Sequence, residues 1–208
     1  MGEAPDGAEG RTFRGEDWYA EDLAAARFVD CAFVGVDLSE VTTRGALFER
    51  CRFDSCRLNS SVHVATAFVG CELRGCNLFD ATFEGCKTTG STFASCTTRP
   101  MRVVGGQWRA VGLRGARLAG LDLTGLDLRE SDLALADLTG TVLREARLGG
   151  ASLREADLAG ADLRGADLAG VDLASARLDG TRLDLAGAVL LAEQHGATVD
   201  VGRPETAG

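Results

Sequence analysis

Seven cysteines, two histidines and 31 acidic residues are the side chains of this 208-residue chain with the most chemistry to offer. They could make a thiolate metal or redox centre, a nucleophile paired with a base, or an anionic surface. Cys31, Cys51, Cys56, Cys71, Cys76, Cys86 and Cys96 are separated by multiples of five residues and include no C-x-x-C pair, the spacing used by zinc sites and redox dithiols. An odd number in a chain without an export signal argues against a disulfide framework. His63 stands in SVHVA and His195 lies far along the chain, neither beside a nucleophile, and no glycine loop has the spacing that cradles phosphate. Aspartate recurs eleven times in one equivalent setting, whereas general acid–base catalysis needs a carboxyl in a distinctive one. The expectation is a protein that is not an enzyme, with no catalytic residue, metal or cofactor, whose chemistry lies in a repeated acidic surface.

What repeats is a unit of five residues. In ASLREADLAGADLRGADLAGVDL, residues 151–173, leucine returns at 153, 158, 163, 168 and 173, each with a small residue two positions before it. Neither a helix of period about 3.6 nor a strand of period about 2 keeps those leucines on one side. With leucine as the centre, the register runs without insertion from Phe13 to Leu183 through 35 units. The centres are mostly aromatic at first, and all 15 from Leu113 onward are leucine. Every cysteine falls two residues before a centre, the eleven aspartates one before, and 17 of the 27 glycines two after. Five therefore reads as one short extended side followed by a corner. The centre and the residue two before it point inward, and the residues flanking the centre point outward. A chain that always turns the same way coils, and coils stacked about 4.8 Å apart through backbone hydrogen bonds make a parallel solenoid. Cysteine then reads as a small buried apolar group, and His63 as an inward, hydrogen-bonded centre with Val62 and Val64 outside. In CTTRPMRVVGGQW, Pro100 at a corner and Gly106 at an inward position read as a kink between the aromatic and leucine-filled halves.

The tandem A-D-L-x-G, as in Ala161-Asp162-Leu163-Arg164-Gly165, resembles the pentapeptide-repeat family. That resemblance implies an all-β fold, a right-handed quadrilateral β-helix with four sides per coil. Four sides and 35 units give eight to nine coils, a rod of roughly 40 Å. The expected organisation is a flexible tail over 1–10, the solenoid over 11–183, a C-terminal helix with a short tail over 184–201, and a flexible tail over 202–208. After Leu183, DLAGAVLLAEQHG reads as a helix capped by Asp184 and ended by Gly196, with Leu185, Val189 and Ala192 on one face. A bare last coil needs covering, and the apolar surplus of Leu185, Val189, Leu190 and Leu191 points to a homodimer through this helix.

The C-terminal segment, together with Arg99-Pro100, also resembles the MfpA and Qnr group of fluoroquinolone-resistance proteins. The resemblance implies an acidic rod that imitates duplex DNA, binds DNA gyrase and dimerises end to end. A formal charge of −9 opposes direct nucleic-acid binding but suits such imitation. The candidate partner-binding surface is the set Asp17, Asp37, Asp122, Asp127, Asp132, Asp137, Asp157, Asp162, Asp167 and Asp172. With four sides, Asp17, Asp37, Asp137 and Asp157 share one, diluted by Arg57, Arg117 and Arg177. The acidic start MGEAPDGAEG is unlike a signal peptide and no apolar run approaches the roughly 18 residues of a membrane span, so the expected location is cytoplasmic, away from membranes. The repeat specifies a shape and not a partner, so a protein–protein scaffold with an unrelated partner stands as the alternative.

Overall fold

The computed structural model describes residues 4–200. Residues 1–3, residue 201 of the C-terminal segment and the tail expected over 202–208 lie outside the described residues. Each unit pairs in parallel with the unit twenty residues on, so four units complete a coil. On the first side Phe13, Phe33 and Phe53 are in register and Leu73 pairs with Phe93. On the second, bridges run Asp17 to Asp37 to Arg57 to Asn77 to Thr97. On the third Thr43, His63 and Phe83 align, and on the fourth Phe28, Phe48 and Phe68 do. Three sides form parallel sheets in the first half of the chain, whereas the second side, and all four sides after Val104, are held by isolated bridges.

The solenoid starts earlier than expected. Gly7–Glu9 is a strand paired in register with Arg27–Val29, inside the segment read as a flexible tail over 1–10. Ala8 continues the five-residue register back from Phe13, and the free edge of the first full coil offers backbone groups that need partners.

The centres fill the rod as columns one coil apart. Phe33 and Phe53 stack with ring centroids 4.6 Å apart, and Phe48 and Phe68 with centroids 4.9 Å apart. Two kinds of corner follow from what stands at the centre. After most leucines the chain closes a β-turn, as in Val41 N–H to Leu38 O at 3.3 Å and Ala156 N–H to Leu153 O at 2.9 Å, with the residue two past the centre in the left-handed region. After every Phe centre the side is a strand and the corner stays open, without that bond.

An open corner leaves the centre's carbonyl without its turn partner, and the cysteines supply one. The Sγ of Cys51 donates to Phe28 O at 3.4 Å, Cys56 to Phe33 O at 3.3 Å, Cys71 to Phe48 O at 3.2 Å, Cys76 to Phe53 O at 3.3 Å and Cys86 to His63 O at 3.2 Å. Ser91 Oγ does the same for Phe68 O at 2.8 Å. The thiols are therefore more than small apolar fillers: each reaches the coil before it. All seven are free, six buried and Cys96 partly exposed. Burial pushes the Cys86 thiol up to about 11, and contact with the Cys71 thiol, together with burial, raises Cys51.

His63 lies inward as expected, its ring nitrogens 2.8 Å from Thr43 Oγ1 and 3.0 Å from Ser61 Oγ. Burial pushes its imidazole down to about 3.

Where a kink was expected, the coil-to-coil ladder parts on two adjacent sides. No bridge joins Thr97 to Arg117 or Arg102 to Asp122, while Gln107 to Asp127 and Gly112 to Asp132 hold on the other two sides. Pro100 has no N–H for the bond that Ser60 makes to Phe79 O at its equivalent corner. Met101 and Leu121 stand one coil apart at inward positions of the third side, both buried. Thr98 Oγ1 reaches Arg117 O at 2.5 Å in place of its own N–H. Gly106 then brings the chain against the preceding coil: at φ +110 a Cβ there would lie 2.3 Å from Cys86 O.

The C-terminal helix, Leu185–Gln194, starts at Asp184, whose side chain accepts from Gly187 N–H at 2.9 Å. It folds onto the last coil through Gly187, where a Cβ would sit 3.2 Å from Leu183 and 3.4 Å from Leu168. Gln194 closes the open edge, its Oε1 accepting from Leu173 N–H at 2.9 Å and its Nε2 donating to Val171 O at 2.6 Å. Among the described residues no helix is long and apolar enough to cross a membrane.

Two outcomes test this core. Cys51→Ser, which keeps a donor under Phe28 as Ser91 does under Phe68, should cost less than about 1.5 kcal/mol, and Cys51→Asp several kcal/mol, by denaturant unfolding. The unfolded His63 takes up a proton below about pH 6.5, and the native one only near 3. Its contribution is therefore full above about pH 6.5 and lost as pH falls. Stability should drop by about 2 kcal/mol between pH 7 and 5 on this account, and His63→Gln should remove that part of the slope.

Candidate partner-binding surface

The recurring aspartate precedes its centre, and its side chain turns back to the corner that follows. Tyr19 N–H donates to Asp17 at 3.1 Å, Ser39 N–H to Asp37 at 3.0 Å, Thr124 N–H to Asp122 at 3.0 Å and Ala134 N–H to Asp132 at 3.0 Å. Asp127, Asp137, Asp157, Asp162 and Asp167 accept the N–H two residues on in the same way, at 3.3, 3.1, 3.0, 3.3 and 3.1 Å. This is the Asx turn, in which a short carboxylate substitutes for a backbone acceptor. Asp172 makes no such bond among those described. The acidic repeat is thus a turn-forming repeat first and a surface second.

Several of these charges are already answered. Asp162 lies between Arg144 Nε at 2.7 Å and Arg164 Nη2 at 2.7 Å, which hold its carboxyl well below the usual range, Arg164 contributing most. Asp127 is gripped by Arg129 at 2.6 and 2.8 Å. Both are nearly buried, at 6% and 8% exposure, so neither is free acidic surface. Asp37 pairs with Arg57, and Asp157 with Arg177 at 3.3 Å. Burial opposes ionisation of Asp37, but Arg57 and Ser39 outweigh it and hold the carboxyl low. Asp17, Asp122, Asp132, Asp137, Asp167 and Asp172 form no ion pair among the described residues.

The ten candidates do not make one surface. Asp132 and Asp172 lie on the first side, Asp122 and Asp162 on the third, and Asp127 and Asp167 on the fourth. Asp172 forms no bridge among the described residues, and the bridges of the other five fall on Gly112, Ser152, Val142, Arg182, Gln107 and Arg147, none of them acidic. Only the second side brings carboxylates onto adjacent coils, as the bridged pairs Asp17–Asp37 and Asp137–Asp157. Between the pairs stand Arg57, Asn77, Thr97 and Arg117. Thr139, through its hydroxyl and N–H, and then Arg99 and Arg117 hold the Asp137 carboxyl below its ordinary value. Sequence reasoning passed over the exposed aromatics of this side, Tyr19 at 47% and Phe79 at 50% exposure. The signal was there: Phe79 is the one Phe off the centre register. Asp22, in the same Asx setting with Ala24 N–H at 2.9 Å, was also passed over as surface.

At the C-terminal end the four apolar candidates divide. Leu190 and Leu191 pack partly against the core, Val189 is half-buried, and Leu185 is 71% exposed.

A twenty-residue coil built from five-residue units defines a class, and residues 113–150 and 146–184 match the family model for pentapeptide repeats, in 8 copies. The chain is a parallel β-solenoid, and its residues 113–184 match the pentapeptide-repeat family. Over 79 residues it is 39% identical to the pentapeptide repeat protein MfpA of Mycobacterium tuberculosis, a stretch that makes up 36% of this chain and spans 43% of MfpA. A trypsin-treated variant of QnrB1, a plasmid-mediated fluoroquinolone resistance protein, overlays with a TM-score of 0.82 at 20% identity, covering 93% of this chain and 97% of its own. Full-length QnrB1 overlays at 0.61 and 20% identity over 92% of this chain and 100% of its own. At these identities the QnrB1 likeness is one of fold.

If the aspartates hold the corners, Asp37→Ala should lower stability by about 1 to 3 kcal/mol, since it removes an ion pair and two hydrogen bonds. Asp172→Ala, which touches no corner, should stay within about 0.5 kcal/mol. Thermal unfolding of the two variants against the parent checks this.

Proposed function

We propose that this chain is a partner-binding rod that imitates duplex DNA, and that its partner is DNA gyrase. The observation that carries the reading is the second side, where Asp17–Asp37 and Asp137–Asp157 set carboxylates on neighbouring coils of a chain with a net charge of −9. Coil spacing places such carboxylates about 4.8 Å apart along the rod, of the same order as the roughly 3.4 Å of helix axis per phosphate on one DNA strand. The pairs lie five coils apart, on the order of 24 Å, so they would meet two separate basic patches. The stretch shared with MfpA and the fold shared with QnrB1, which confers fluoroquinolone resistance, support gyrase as the partner.

In this reading no residue is catalytic and no cofactor takes part. The protein acts in the cytoplasm by occupying the enzyme's DNA-binding surface. Two copies joined through the C-terminal helix, at Leu185 and Val189 with Leu190 and Leu191 behind them, would make a rod of roughly 80 Å. Tyr19 and Phe79 favour a second reading, a scaffold with an unrelated protein partner, because exposed aromatics beside charges are common anchors of protein interfaces.

A supercoiling assay with gyrase, with and without a fluoroquinolone, separates the two. Asn77 shows how to remove charge and keep the corner, since its Oδ1 accepts from Phe79 N–H at 3.0 Å. Asp17→Asn, Asp137→Asn and Asp157→Asn should therefore weaken the effect on gyrase cumulatively, and more so at low salt. Asp132→Asn with Asp172→Asn, on the first side, should do little. No effect of the parent protein at micromolar concentration and low salt would leave the scaffold reading in its place. Replacing Leu185 and Val189 by Glu should convert a dimer to a monomer in light scattering. A dimer that persists puts the interface elsewhere.

A further inference from the structure

The charge of the chain is not spread evenly. Residues 85–121 contain six cationic side chains, Lys87, Arg99, Arg102, Arg109, Arg114 and Arg117, and no acidic one. Four of them, Arg99, Arg102, Arg114 and Arg117, surround the place where the coils part. Many arginines elsewhere are answered, as Arg50 by Asp30 at 2.8 Å and Arg129 by Asp127 at 2.6 Å. None of these four forms an ion pair among the described residues, although Arg99 and Arg117 act on Asp137 at longer range.

The parting leaves two sheet edges facing each other. Across it the N–H groups of Thr98, Val103, Arg117 and Asp122 do not reach the carbonyls that the register assigns them. One coil earlier the bonds equivalent to those of Thr98 and Arg117, from Leu78 to Thr97 O and from Thr97 to Cys76 O, close at 2.8 and 2.9 Å. The strand Met101–Val104 is paired with Ala81–Glu84 on one edge and bare on the other. Two cavities occupy the gap, about 560 Å³ lined by Thr98, Arg99, Arg114 and Arg117, and about 510 Å³ lined by Met101, Arg102, Val103 and Asp122. They adjoin around the corner at Pro100.

We propose that this parting is a docking groove for an extended acidic peptide segment of a partner protein. Bare N–H and C=O groups on a strand edge are satisfied by another strand, which lends affinity through its main chain and specificity through alternate side chains. Carboxylates at every second residue of such a segment recur about 6.6 Å apart on one face, within reach of arginines spread along both lips. A phosphate chain would satisfy the arginines but not the mixed donors and acceptors of the edges, which favours a peptide. The groove does not depend on the gyrase reading, because it is cationic and lies between the two acidic pairs.

The test uses the full-length protein and a fluorescein-labelled eight-residue peptide of alternating Glu and Val, followed by anisotropy at low salt. Saturable binding is expected, with the Lys–Val counterpart silent and an eight-residue oligothymidylate at least tenfold weaker. Amide hydrogen exchange of the parent protein should slow at Thr98, Val103 and Arg117 when the peptide is present. Arg99→Ala with Arg117→Ala should weaken the peptide at least tenfold. Arg14→Ala, an exposed arginine remote from the groove, should not. Three results would overturn the proposal: no saturable binding, oligothymidylate binding as tightly, or equal loss in the Arg14 variant. Slowed exchange confined to other sides of the rod would also overturn it, whatever the fate of the double variant.

Discussion

Nearly every corner between the five-residue units of this protein turns through the left-handed region, and the rest of the rod is arranged around that turn. At Gly15, Gly35 and Gly85 the corner is free of side-chain conflict, with φ +60, +62 and +60. At Arg50, Leu135 and Glu155 an ordinary side chain is held at φ +51, +61 and +57, a conformation that costs on the order of 1 kcal/mol or more. The ladder from coil to coil outweighs that cost, because the corner N–H bonds the next coil: Arg50 to Val69 O at 2.8 Å, Leu135 to Arg154 O at 2.9 Å, Glu155 to Ser175 O at 2.9 Å. Where the ladder cannot form, at Pro100, the coils part. The regularity and the parting at Pro100 thus have one cause.

The same constraint explains why polar residues crowd particular positions. Aspartate before a centre receives the N–H on the outer side of the corner, and cysteine on the next coil donates to the centre's carbonyl on the inner side. One accepts and the other donates, so the two groups most suggestive of chemistry in the sequence are mainly partners for backbone atoms. Function must then be drawn from charges left over after the fold is satisfied. On the second side those are Asp17 and Asp137, backed by Asp37 and Asp157, whose arginine partners sit at the exposed surface where ion pairs are worth little.

Much of the architecture was legible because one register governs it. Inward and outward positions, the burial of the cysteines, the inward His63 and the break at Pro100 all follow from counting by five, and the helix cap at Asp184 from the capping signals after the count ends. Less legible was whatever depends on atoms beyond that count. The open corners after Phe are a matter of side-chain size meeting a turn, which periodicity does not report. The neutralisation of Asp162 by Arg144 and Arg164 depends on a residue eighteen positions away that reaches across a coil. The strand at Gly7–Glu9 has only a small residue, Ala8, at its centre, which hid its place in the register, and it pairs with the free edge of the first full coil. The scatter of the ten aspartates over four sides was implicit in the twenty-residue coil, yet only Asp17, Asp37, Asp137 and Asp157 were grouped by it in advance.

The central claim is that an acidic side of the solenoid takes the place of duplex DNA on a protein. Displacement measures this directly: gyrase is bound to a fluorescent duplex without drug or nucleotide, the solenoid is titrated in, and the anisotropy of the duplex is followed. Imitation predicts that anisotropy falls to the value of free DNA as the solenoid saturates the enzyme, at a midpoint that rises in proportion to the DNA concentration. If the solenoid binds gyrase while the duplex stays in place, the acidic side is not standing in for DNA, and the account is contradicted.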